Sequence, residues 1–123
     1  MEFSKKEMTA ILSVGKAMVD ADGKVDDNEL TVMSLELVKF GVPRDHLKEL
    51  FKAAIQMEPS EAMAIISMFN QKQKKYVASY LGTIMAADGN IDDRELALWR
   101  IVSKLCGLPN MTITEAIGNM THS

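Results

Sequence analysis

Two short stretches concentrate the carboxylates of this chain. Asp20, Asp22, Asp26, Asp27 and Glu29 stand between Asp20 and Leu30; Asp88, Asp92, Asp93 and Glu95 stand between Ala86 and Leu96. Nine of the 17 acidic residues thus occupy 22 positions, offset only by Lys24 and Arg94. Carboxylates this dense repel one another, and a hard cation held by oxygen is the usual remedy. Ca²⁺, Mg²⁺ or Mn²⁺ suits such ligands. Zinc held by nitrogen and sulfur does not suit the chain, whose only such side chains are His46, His122 and Cys106. Asp22 to Glu29 is shorter than the roughly 12-residue EF-hand loop, so neither stretch alone supplies about six to eight oxygens. Two facing loops, with carbonyls and water, would.

The same residues also have a purely structural reading. Asp22-Gly23 is a turn dipeptide, and Asp26 and Asp92 sit where a helix N-cap belongs, with Glu29 and Glu95 three residues on. Such a cap is worth about 1 kcal/mol. A third reading, a carboxylate-metal hydrolase, needs an open metal position and a base or phosphate clamp. No motif supplies one: GxSxG, P-loop and GxGxxG patterns are absent. A non-catalytic, cation-responsive binding module is the favoured expectation, with no organic cofactor.

The elements that must position these loops read as helices. Ser4 and Glu7 form a capping box ahead of an apolar stripe through Met8, Ile11, Leu12 and Met18, predicting a helix from about Ser4 to Val19. A second should run from Asp26 past Leu30, Met33 and Leu37 to Phe40, stopped by Gly41 and Pro43. Arg44–Gln56 makes a third. Pro59 opens a short fourth through about Met68, and Asn70 caps a fifth bearing Val77, Tyr80, Leu81 and Ile84. Asp92 and Glu95 introduce a sixth with Leu96, Trp99, Val102 and Cys106, ended by Gly107 and Pro109. Thr112 and Glu115 box a last helix around Ile113 to Met120. No segment alternates with a period of two. The expected fold is all-α, about seven helices in one domain over residues 1–123.

The chain also repeats itself at an offset of 66. Ala21-Asp22-Gly23-Lys24-Val25-Asp26-Asp27-Asn28-Glu29-Leu30 aligns with Ala87-Asp88-Gly89-Asn90-Ile91-Asp92-Asp93-Arg94-Glu95-Leu96, identical at seven of ten positions. The register continues without a gap to Gly41-Val42-Pro43 over Gly107-Leu108-Pro109. Each copy is helix, acidic loop, helix and Gly-x-Pro stop. Two like hairpins most simply pack about a pseudo-two-fold axis.

This doubled Ala-Asp-Gly-x-(Val/Ile)-Asp-Asp-x-Glu-Leu resembles the TerB family of tellurite-resistance proteins, whose fold also forms the N-terminal domain of the DjlA membrane co-chaperones. The resemblance runs from the first helix through the sixth. It implies an all-helical domain with two-fold pseudosymmetry and an acidic cluster holding a divalent cation. Carried over, the metal residues are Asp22, Asp26 and Glu29 with Asp88, Asp92 and Glu95. The chain departs from DjlA in having no His-Pro-Asp, hence no J-domain, and no membrane segment. The resemblance points to a role in stress-response or envelope-associated complexes.

Composition narrows the partners. Net charge is −3 and charged residues make up 25% of the chain, which argues against whole-surface attraction to nucleic acid or anionic membrane. No apolar run nears the roughly 18 residues of a membrane span. Met1–Glu7 is mixed in charge with no signal core, so the expected location is cytoplasmic and the expected partner a protein of unstated identity; a homodimer is compatible. Lys72, Lys74 and Lys75 read as a solvated helix end. Met57, Met63 and Met68 suit either core filling or an adaptable surface, with core favoured. Trp99 and Cys106 read as core, Trp99 with scope for an indole hydrogen bond.

Overall fold

The computed structural model describes residues 3–19, 44–86 and 93–121. These residues form helices α1 (Lys5–Val19), α2 (Arg44–Gln56), α3 (Pro59–Ser67), α4 (Gln71–Met85), α5 (Asp93–Cys106) and α6 (Ile113–Thr121), with no strand among them. The predicted Asp26–Phe40 helix, its Gly41/Pro43 stop, and the loop plugs Val25 and Ile91 lie outside the described residues. Every other predicted helix is present within a residue or two of its expected ends.

Local chemistry explains those ends. Ser4 N–H donates to Glu7 Oε1 at 2.7 Å, and Glu7 N–H donates to Ser4 Oγ at 3.1 Å, closing the capping box. At α4, Asn70 N–H donates to Gln73 Oε1 at 3.0 Å, and Gln73 N–H donates to Asn70 Oδ1 at 2.8 Å. Thr112 and Glu115 form the third such box ahead of α6. Pro59 occupies the first turn of α3, where its missing N–H costs nothing. Gly107 ends α5 at φ 69°, and Leu108 N–H donates to Ser103 O at 2.8 Å, the Schellman closure.

The 66-residue register reaches further than the sequence alone reveals. Adding 66 to Lys5–Val19 gives 71–85, the bounds of α4. The capping boxes superpose, Ser4 on Asn70 and Glu7 on Gln73. Adding 66 to Arg44–Gln56 gives 110–122, which contains α6. Buried Leu50 and Ala54 of α2 correspond to buried Ala116 and Met120 of α6. The packing matches as well: α1 packs on α2 as α4 packs on α6. α3 joins the halves and packs against α1 and α5.

Phe3 and Phe69, repeat mates, meet with ring centroids 5.4 Å apart and planes tilted by 42°. A residue that touches its own counterpart lies beside a two-fold axis. Tyr76 extends this cluster, 5.5 Å from Phe3 and 6.0 Å from Tyr80. Buried Ser13 and Ser79, also mates, each tie their helix to the end of the repeat: Ser13 Oγ donates to Met57 O at 3.3 Å, and Asn119 Nδ2 donates to Ser79 Oγ at 3.0 Å.

The second half closes more tightly. A Cβ built on Gly82 would stand 2.7 Å from Ala116 Cβ and 3.1 Å from Trp99 Cζ2. Only hydrogen fits between α4 and α6 at that point. Gly82→Ala should therefore cost about 1–3 kcal/mol despite the better helix propensity of alanine. Urea unfolding of Gly82→Ala, Ala116→Gly and the double variant checks this: the double variant should lose less than the sum of the two singles.

Candidate functional site

The acidic stretches follow the C-terminal ends of α1 and α4. Each helix has 15 residues and is therefore about 22 Å long, so each stretch begins at the end remote from the Phe3–Phe69 contact. Asp22, Asp26, Glu29, Asp88 and Asp92 lie outside the described residues. Glu95 is described. It sits in the first turn of α5, the third residue of that helix, and its side chain is only 3% exposed.

That burial separates Glu95 from an ordinary capping glutamate. The box glutamate at the start of α6, Glu115, is exposed. A carboxylate removed from water is held by hydrogen bonds, an opposite charge or a metal ion. Its place in the first helical turn also suits the positive end of the helix dipole. Asp93 and Arg94 beside it are exposed. Among the described residues no three His, Cys, Asp or Glu side chains converge on one point; the proposed ligand set is represented there by Glu95 alone.

The remaining candidates divide clearly. Cys106 is buried, and its Sγ lies 3.6 Å from Met63 O as a weak donor. Burial pushes its thiol above the ordinary 9.0, while the Lys74 ammonium pulls the other way. Lys74, the middle lysine of that basic run, is half-buried. Its Nζ lies against the C-terminal end of α5, 3.2 Å from where a Gly107 Cβ would stand. There a cation faces the negative end of the helix dipole. Lys72 and Lys75 are exposed, as expected. Met57 and Met63 pack against the core, whereas Met68 is exposed. Trp99 is core, and its indole N–H finds no acceptor among the described residues. His46 is exposed on α2; His122 lies outside the described residues.

A family model described as tellurite resistance protein TerB matches residues 8–116. The chain belongs to the TerB family. The TerB match spans both acidic stretches and runs into α6, in keeping with a repeat that includes that helix. The chain is also similar to the crystal structure of protein of unknown function PG1108 from Porphyromonas gingivalis W83. That similarity has a TM-score of 0.90 and 53% identity, covering 98% of this chain and 92% of that one. No curated protein matches the sequence significantly. Among the described residues, no helix is long and apolar enough to cross a membrane.

Two outcomes follow from the buried groups. Glu95→Ala leaves the former partner of a buried carboxylate unsatisfied and should cost about 1–3 kcal/mol in urea unfolding, whereas Glu115→Ala at the exposed box should cost nearer 1 kcal/mol. For Cys106 the raised pKa sets the sign: stability is full below pH 9.0 and is lost as pH rises through the higher folded value. The stability advantage of the native chain over Cys106→Ala should shrink between pH 8 and pH 10, read from urea midpoints.

Proposed function

We propose that this TerB protein is a non-catalytic binding module whose paired acidic loops hold a hard divalent cation, Ca²⁺, Mg²⁺ or Mn²⁺. The ligands in this reading are Asp22, Asp26 and Glu29 from the first loop and Asp88, Asp92 and Glu95 from the second. The observation that supports it is the burial of Glu95, a first-turn carboxylate of α5 97% withdrawn from water at the end of the second acidic stretch. A cation would stabilise that charge and relieve the repulsion around it. The module would present its helical surface to a protein partner in a stress-response or envelope-associated complex. Neither nucleic acid nor membrane insertion enters this reading, and cation binding acts on the shape of the loops, not on a substrate. The proposed location is the cytoplasm.

Asp22 and Asp88 give the reading its test, because the Asp-Gly turn that the sequence predicts accepts Asn as readily as Asp. The experiment is four melting curves: native chain and Asp22→Asn/Asp88→Asn, each in chelator and in millimolar calcium or magnesium. The native chain should gain stability as RT ln(1 + [L]/Kd), about 2.7 kcal/mol at a hundredfold excess over Kd. The double variant should match or exceed the native chain in chelator and lose most of the ion-dependent gain. A native chain with no ion-dependent shift in melting would leave the acids as turn and cap residues.

A further inference from the structure

Outside the acidic loops, α5 and the segment after it enclose an open groove of about 930 Å³. Half-buried Leu96, Met111 and Ile113 give it apolar walls. Arg100 and Lys104, one turn apart and both exposed, supply its charge. None of its described lining residues is acidic, in a chain of net charge −3. Neither cation forms an ion pair among the described residues. Trp99, also in the lining, carries the buried indole N–H that lacks an acceptor among the described residues.

The groove departs from the repeat. Trp99, Arg100, Ser103 and Lys104 correspond to Met33, Ser34, Leu37 and Val38, so neither cation has a charged mate in the first half. Folding the hairpin does not demand these charges, since one sequence supplies them and the other does not.

We infer that this groove docks an acidic segment of a partner protein, with carboxylates on Arg100 and Lys104 and apolar side chains against Leu96, Met111 and Ile113. This rests on the binding-module reading above and names its surface and the chemistry of its partner. Charge complementarity selects the acidic occupant, and the apolar walls select a peptide over a free anion. Single-stranded nucleic acid fits less well: the groove's aromatic ring, Trp99, is 5% exposed and offers no face for base stacking.

The test uses the full chain, in chelator, to select from a random dodecapeptide phage library; selected peptides are then synthesised and titrated. Trp99 is the sole tryptophan, so its emission reports occupancy of this groove. Selected peptides should carry Asp or Glu beside Leu, Ile, Phe or Met and shift Trp99 emission. They should bind Arg100→Glu/Lys104→Glu about tenfold or more weakly. Lys48→Glu/Lys52→Glu, the same charge change at an exposed pair on α2, should alter binding by less than about threefold, and circular dichroism should show both variants folded. Selection without acidic enrichment overturns the inference. So do acidic peptides indifferent to the α5 changes, or an oligouridine or inorganic phosphate that binds the groove more tightly than the peptides. Peptides held elsewhere sink the groove and leave the module standing; peptides held here by a chain with no ion-dependent melting shift sink the cation reading and leave the groove.

Discussion

The structure depends on one buried relationship, the packing of α1 and α4 as two copies of a single element. Between them these helices touch every other described helix: α1 meets α2, α3, α4 and α5, and α4 meets α5 and α6. Both are almost wholly sealed along their inner faces, from Ile11, Leu12 and Met18 to Val77, Leu81 and Ile84. At roughly 1.5–3 kcal/mol for each such side chain withdrawn from water, this face outweighs any cap or surface pair in the molecule. The Phe3–Phe69 contact fixes where the two copies meet, and each acidic stretch then leaves from the opposite end of its helix.

Against that symmetry the departures carry information. α3 has no repeat mate and serves as the strap between the halves. Gly82 stands where the first half has Lys16, which lets both Ala116 of α6 and Trp99 of α5 approach α4 closely. Lys74 replaces Met8 and lies against the end of α5. The acidic stretches behave in the opposite way: they are the most faithfully repeated part of the chain, while the helices that carry them have drifted. A turn and cap need few of those carboxylates, and the proposed cation would account for the rest.

Helix positions were legible because each end is written locally. Ser4, Asn70 and Thr112 reach only three residues ahead, and Gly107 closes its helix through the backbone next to it. The last helix as part of the repeat was not legible, since in residues 47–55 against 113–121 only Glu49 and Glu115 are identical. What persists there is burial, Leu50 with Ala116 and Ala54 with Met120, and burial is a property of the packed structure. Gly82, the Lys74 position and the α5 groove escaped the sequence for the same reason: each is set by what a distant segment places beside it. The spacing suits Glu95 to a capping box and to a ligand alike; its depth, 3% exposed, is a property of the packed structure that spacing does not carry.

The central claim is that the repeated acids form one oxygen-donor site, and calorimetric titration of the chelator-treated chain addresses it most directly. Calcium, magnesium and manganese, each titrated separately with zinc as comparison, should include at least one hard cation that binds saturably. Its heat should disappear in Asp22→Asn/Asp88→Asn and persist in His46→Ala. No saturable heat from any hard cation, or zinc binding lost on changing His46, would contradict the account.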